Sequence, residues 1–311
     1  MGRIKQIYGF LFLLISLSLS GQTNYVSSQY LLNGLLINPA YAGSRGVLST
    51  NLSYRKQWIS VKGAPESQTI SVHTLLKNDR VALAFQAQFM SFGYTKTSGV
   101  FASYAYHIRA GNGKLSLGLK AGIDMASTNY SNISLVDNTD PAFNGGPSSY
   151  ALPNIGAGVY YYSNKYFAGL SVPWLLSYRK AADGSKYEVY QNFQNYDMLF
   201  STGALFTFFD GFFRVKPSIL LDYSLQKSKP LEFDINSNFI FADLIWVGGS
   251  WRTSEKALEG ILQMQITQQL MLGYSCDYQL GSLHNYSNGT HEIGIRYEFG
   301  YKVSASNPRY F

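Results

Sequence analysis

Lys114-Leu115-Ser116-Leu117-Gly118-Leu119-Lys120-Ala121-Gly122-Ile123-Asp124-Met125-Ala126 alternates without a break. Leu115, Leu117, Leu119, Ala121, Ile123 and Met125 share one face, and Ser116, Gly118, Lys120, Gly122 and Asp124 share the other. Successive side chains of a strand point to opposite sides, so this stretch is a strand with one oily face and one wet face. Lys120 and Asp124 on the wet face suit a strand whose inner side lines a polar lumen while its outer side meets lipid.

Thirteen further segments repeat the pattern: 46–58, 67–75, 80–91 and 97–109 before it, and 153–163, 165–172, 197–209, 212–224, 230–241, 244–252, 257–267, 270–279 and 290–300 after it. In the first, Leu48, Thr50, Leu52 and Tyr54 oppose Ser49, Asn51, Ser53 and Arg55; in the last, Ile293, Ile295, Tyr297 and Phe299 oppose Glu292, Arg296 and Glu298. The expected fold is therefore all-β, a transmembrane antiparallel β-barrel of outer-membrane type with about 14 strands over residues 46–303. An even strand number is what closed bacterial barrels require.

The links between segments are a second, independent signal. Short ones stand at 77–79, 110–113, 163–164, 210–211, 242–243 and around Gln268, and Asp210-Gly211 is a strong hairpin dipeptide. Longer ones stand at 59–66, 92–96, 127–152, 173–196, 225–229, 253–256 and 281–289. Short periplasmic turns alternating with long external loops are the habit of outer-membrane barrels, and a soluble sandwich has no reason to sort its loops this way.

Composition agrees. Aromatic residues reach 16% and charged residues only 14%, against roughly 25% charged in average soluble proteins. Trp58, Phe92, Tyr94, Trp174, Phe208, Phe209, Phe212, Phe213, Trp246 and Trp251 gather near strand ends, as aromatic girdles at the two membrane interfaces would. The net charge of +7 is spread singly, which suits a solvated rim more than a nucleic-acid surface. Cys276 is the single cysteine, so no internal disulfide forms.

Ahead of the pattern, residues 1–21 place Arg3 and Lys5 before an apolar run from Ile7 to Leu19 and then small residues at Ser18, Ser20 and Gly21. That is the order of a Sec-type secretory leader, too short to span a bilayer, with cleavage expected near 20–22 and an outer-membrane destination in a Gram-negative cell. Residues 22–45 then form a periplasmic segment or a plug, and 304–311 a C-terminal tail. Gly118, Gly122, Gly156, Gly158 and Gly273 on inner faces clear space for packed strands or for that insert.

Enzymatic constellations are thin. No HExxH, GxSxG, P-loop or strand-following GxGxxG occurs, and no cofactor or metal ligand set is assigned. The four histidines, His73, His107, His284 and His291, lie on separate segments, and only His107 beside Ser103 offers a pair for an acyl hydrolase. Inward Asp124, Asp222, Asp234, Asp277 and Glu292 are expected to pair with Lys120, Arg109, Arg252 and Arg296, either as rigidifying bridges or as a solute-selective filter.

Several stretches carry a family likeness: SQYLLNGLLINPAYAGSRG at 28–46, RKQWISVKGAPESQTISVH at 55–73, SYAYHIRAGNGKLSLGLKAG at 103–122, GAGVYYYSNKYFAGLSVPWL at 156–175, KPSILLDY at 216–223, DINSNFIFADLIWVGGSWR at 234–252, LGYSCDYQLGSL at 272–283 and HEIGIRYEF at 291–299. On these the chain resembles the PorP/SprF family of type IX secretion and gliding-motility outer-membrane proteins over nearly its whole mature length. Cys276 departs from the large residue more typical there. The resemblance implies a non-enzymatic component of the type IX apparatus that supports secretion or surface anchoring, with outer-membrane lipid, other secretion components, a periplasmic peptidoglycan-binding protein or a secreted surface adhesin as partners. It carries no catalytic residues over. Its signature, Asn38, Pro39, Ala40, Tyr41, Ala42 and Gly43, is the candidate partner contact, with a backbone turn before the first strand as the other explanation. From the residues alone, a channel for small or hydrophobic solutes stays open.

Overall fold

A computed structural model describes residues 28–77, 79–129, 148–180, 187–190, 196–226 and 230–300. The leader, residues 22–27 and the tail expected at 304–311 lie outside the described residues.

The alternating segments form β1 (Leu48–Lys56), β2 (Glu66–Leu75), β3 (Val81–Phe92), β4 (Thr95–Ala110), β5 (Gly113–Thr128), β6 (Ser148–Ser163), β7 (Tyr166–Val172), β10 (Asp197–Ala204), β11 (Phe206–Phe208), β12 (Phe213–Ser224), β13 (Glu232–Phe241), β14 (Ile245–Arg252), β15 (Ala257–Gln265), β16 (Leu270–Gln279) and β17 (Thr290–Phe299). Each pairs antiparallel with its chain neighbour, and β1 pairs with β17 from Leu48↔Phe299 to Lys56↔His291. β10 pairs with both β7 and β12, so the sheet closes on itself. β10 and β11 are one stave broken at Leu205, whose buried side chain turns into the lumen, so the barrel has fourteen staves. Closure leaves no sheet edge among these staves for lipid to meet, which is what a membrane-spanning sheet needs.

The faces sort as alternation requires. Leu119 is 64% exposed, and Leu52, Leu83, Phe85, Ile123, Leu258 and Ile293 are exposed with it in a band around the outside. Apolar surface on this scale has no soluble explanation, because monomeric soluble proteins seldom show patches beyond a few hundred Å². The inner positions Ser49, Ser71, Ser116, Asn236, Gln263 and Ser275 are buried instead.

Some expectations need correction. The stave expected at 197–209 is interrupted at Leu205. β6 begins at Ser148 rather than at 153, and Pro153 sits inside it, paired with Ile123. Proline is tolerated there because the β6–β7 ladder ends at Ala157↔Val172, so Pro153 has a ladder neighbour on one side only among the described residues. The link expected at 92–96 shrinks to Gly93 and Tyr94, since β3 and β4 run on to Phe92 and Thr95. The link at 173–196 carries a hairpin of its own, β8 (Tyr178–Lys180) with β9 (Tyr187–Val189). Trp246 and Trp174 are not girdle residues: Trp246 is 7% exposed on the inner face of β14, and Trp174 stacks under the Lys120 ammonium.

The hydrophobic core is inside the barrel and is built on residues 30–42. Leu35, Ala40, Tyr41 and Ala42 pack with Ala82, Ala84, Ala105 and Tyr160; Leu32 packs with Leu205, Ile240, Trp246 and Met271; Tyr30 and Ile37 pack with Leu199 and Leu220. Small alanines on β3 and β4 leave the room, and larger side chains on the opposite wall close it.

Candidate functional site: a seated segment and a lumenal vestibule

Residues 28–46 enter as three short 3-10 turns, Ser28–Leu31, Gly34–Leu36 and Pro39–Tyr41. Pro39 has no backbone N–H and its φ is fixed, which suits the first position of a turn. Asn38 caps that turn, its Oδ1 accepting from the Ala40 N–H at 2.9 Å. The same side chain donates outward from Nδ2 to the carbonyl oxygens of Val159 (3.0 Å) and Leu170 (3.4 Å).

Two histidines hold the next two residues. The Ala42 carbonyl lies 2.9 Å from His107 Nε2, and the Gly43 N–H donates to His73 Nδ1 at 3.1 Å. Tyr162 Oη is 3.2 Å from His107 Nδ1. Because a carbonyl only accepts, His107 carries a proton on Nε2 and its Nδ1 accepts from the tyrosine; His73 accepts on Nδ1. Tyr41 lies between, edge-on to the rings of His73 (5.6 Å) and Tyr160 (5.5 Å). Gly43 has φ +75°, a conformation that favours glycine, and a Cβ there would stand 2.4 Å from Ala82 Cβ.

The wall is cut to this segment. A Cβ on Gly118 would stand 2.2 Å from the Ala40 nitrogen, and one on Gly158 would stand 2.2 Å from Asn38 Oδ1. Further bonds run to other staves: Ser171 Oγ to the Ile37 carbonyl (2.6 Å), Asn33 Nδ2 to Ser71 Oγ (2.7 Å), Asn236 Nδ2 to Tyr30 Oη (2.5 Å), and Arg45 Nε to Glu298 (2.7 Å). The six signature residues therefore all touch the barrel's own wall, and Ala40 and Ala42 are fully buried.

The far half of the lumen is acidic. Arg55 contacts Glu255 (2.8 Å), Asp277 (2.9 Å) and Glu292 (3.3 Å); Arg252 contacts Asp234 (3.2 Å), Glu259 (3.2 Å) and Glu255 (3.3 Å). Two guanidiniums thus serve five carboxylates, tying β1, β13, β14, β15, β16 and β17 to the link at 253–256. Of the pairings expected from sequence, Arg252 meets Asp234 and reaches Asp277 at 3.9 Å. Arg296 meets Glu298 (3.5 Å), and Lys120 sits 4.5 Å over the rings of Phe101 and Trp174. Arg55, Glu259 and Arg45 went unrecognised as charge partners; Arg55 and Glu259 stand at inward positions that alternation marks. Glu255 lies in a link, where alternation marks nothing.

Leu36 and Ile37 floor a cavity of about 450 Å³ on this side, with Arg55, Asp124, Tyr150, Trp174 and Asp222 in its wall. Gly156 faces this wall, where a Cβ would collide with Pro173 at 2.4 Å, and Gly122 clears Phe101. Ser103 and His107 share an inner face, but both ring nitrogens of His107 are engaged by Ala42 and Tyr162.

Compared with known proteins, the chain matches the family described as "Type IX secretion system membrane protein PorP/SprF" over residues 19–297. No curated protein matches it in sequence. Among solved structures, the CymD monoaromatic hydrocarbon channel is similar at 13% identity and a TM-score of 0.51, covering 91% of this chain and 95% of that one. The Ralstonia pickettii toluene transporter TbuX is similar at 12% identity and a TM-score of 0.51, covering 90% and 96%. At such identities the likeness is one of fold: a barrel of the outer-membrane kind.

Proposed function

Since the chain belongs to the PorP/SprF family of type IX secretion system membrane proteins, we propose that it is a non-enzymatic outer-membrane component of that machinery. In this role it supports secretion or cell-surface anchoring of a partner protein, and it reaches the outer membrane through the leader at 1–21. The observation that carries this is the seating of residues 30–46: they are hydrogen-bonded to at least six staves and fill the lumen with a hydrophobic core. A barrel filled in this way is a rigid platform for docking rather than a wide pore. Periplasmic components are met at the short-turn end, and a secreted adhesin is met at the long-loop end. The signature residues act on partners indirectly, by holding the segment and the mouth of the barrel in place.

The test is copurification from native membranes after mild crosslinking, with surface display of the secreted partner scored in a deletion strain. Recovery of type IX components and loss of display support the proposal; intact display and recovery of none of them would end it.

A second possibility, a channel for small or hydrophobic solutes, is favoured by one observation, the 450 Å³ cavity floored by Leu36 and Ile37. Planar-bilayer conductance of the intact chain against one lacking residues 22–44 separates the two. A platform conducts poorly until the segment is removed, whereas a channel conducts with the segment in place.

A further inference from the structure

Basic residues crowd the end of the barrel where β2 turns into β3, β4 into β5 and β6 into β7. Lys77 and Arg80 stand on the first turn, Arg109 and Lys114 flank the second, and Lys165 stands on the third. Lys77, Arg109 and Lys165 are exposed, and Lys114 is half-buried. Asp79 is the one acidic residue on these three turns. Arg80 has contacts of its own, which leaves Lys77, Arg109, Lys114 and Lys165 as a basic arc.

Alternation sets which way the arc faces. Arg109, Lys114 and Lys165 each stand two residues from an inward side chain: buried His107, buried Ser116, and Phe167, which packs on the core. They therefore line the lumen side of the rim. On the outer side of the same rim stand Leu76, Ile108 and Tyr166, all exposed, with Tyr161 stacked on Tyr166 at 5.6 Å. Lipid meets the apolar set, and water meets the cations. Arg109 and Lys114 are directly opposed across β4 and β5. Like charges so placed destabilise a sheet, and an acid set between them removes that cost. Elsewhere on this end the balance differs, since Arg214, beside the turn from β11 into β12, is paired with Asp243. The arc runs across neighbouring staves from β2 to β7, five gaps of about 4.8 Å or about 24 Å in all. That is the scale of one side of a standard protein interface, about 800 Å², and far more than one phosphate headgroup covers.

We propose that this arc is a docking surface for an acidic protein, whose Asp and Glu side chains pair with Lys77, Arg109, Lys114 and Lys165. Which machinery supplies that protein rests on the platform reading; the contact itself does not. An anionic lipid headgroup is the weaker occupant, because the cations stand on the side of the rim that lipid does not meet.

Zero-length coupling tests the contact, because a carbodiimide joins a lysine amine to a carboxylate only where the two already touch. In permeabilised cells carrying the full chain, mass spectrometry is expected to find peptides that link Lys77, Lys114 or Lys165 to Asp or Glu of one other protein. Lys77→Arg with Lys165→Arg should lose the links at those two positions while that protein still copurifies. Lys77→Glu with Lys165→Glu should lower its recovery about tenfold or more, since like charges then face each other. No link at any of the three lysines, or recovery unchanged by the charge reversal, would overturn the proposal. So would a charge reversal that sheds bound anionic phospholipid and keeps the protein. If the charge-reversed chain fails to fold, the links and the Lys→Arg pair decide alone. Type IX components that copurify undiminished with the charge-reversed chain sink the acidic contact and leave the platform. An acidic partner from outside that machinery sinks the platform and leaves the contact.

Discussion

Asn38 and Val159, 121 residues apart in the chain, are joined by a hydrogen bond of 3.0 Å from the asparagine amide to the valine carbonyl. The same amide reaches the carbonyl of Leu170, the residue paired with Val159 across β6 and β7. One side chain thus caps its own turn and clamps it to a ladder. Asn38→Ala removes both, and at roughly 1 kcal/mol per net hydrogen bond the expected loss is about 1–3 kcal/mol of unfolding free energy, with the barrel still closed. Asn38→Asp keeps the cap but sets a carboxylate against two carbonyl oxygens, so it should destabilise more than alanine does. Denaturant unfolding in detergent, followed by tryptophan fluorescence, checks the order.

Gly118 faces the Ala40 backbone so closely that even a methyl group at 2.2 Å has no room, and backbone cannot swing aside as a long side chain can. Gly118→Ala should therefore unseat the turn at Pro39–Tyr41. The expected outcome is protease sensitivity within residues 30–46 while the closed barrel resists digestion. Gly260→Ala, where nothing lies within 4 Å, is the control and should behave as the parent chain.

The barrel itself was legible in the sequence because alternation is a local signal repeated along every stave: 114–126, read alone, gives the correct inner and outer faces of most of β5. The break at Leu205 was not legible, since Leu205 keeps the inward parity of Leu199 and Ser201 and packs on Leu32, Ile240, Trp246 and Met271, all far from it in the chain. Trp246 and Trp174 misled for a related reason. An aromatic near a strand end satisfies either the membrane interface or a cation in the lumen, and only the tertiary arrangement places Lys216 and Lys120 beside them. The glycine pattern did point inward, and Gly118 and Gly158 face the seated segment. Which atoms they receive depends on a fold of 28–46 that carries no periodicity at all.

Arg55 stands at the centre of the acidic half of the lumen, within 3.3 Å of Glu255, Asp277 and Glu292. Removing one side of a buried charge network leaves the other uncompensated, a loss of about 3–5 kcal/mol. Arg55→Met should therefore destabilise strongly, while the link at 253–256 stays held by Arg252 on Glu255 and by Thr253 on Phe233. Adding Glu255→Gln to Arg55→Met removes one of the stranded charges and should recover part of the loss. A double-mutant cycle on unfolding free energies measures the recovery; none at all would mean that Glu255 and Arg55 do not act on one another.

The proposed role sets the end of the barrel that carries most of the longer links at the cell surface and the other end in the periplasm, an orientation that labelling can test. Lys62 lies exposed in the link between β1 and β2, and Asn112 lies exposed in the two-residue turn between β4 and β5, at opposite ends of the staves. Cys276 is the chain's own thiol, so Cys276→Ser gives a silent background. In it, Lys62→Cys should react with a membrane-impermeant maleimide on intact cells. Asn112→Cys should react only after the outer membrane is permeabilised. The opposite result would turn the barrel over: the 450 Å³ vestibule would then open to the periplasm, and the acidic half of the lumen would face the machinery rather than the cell surface.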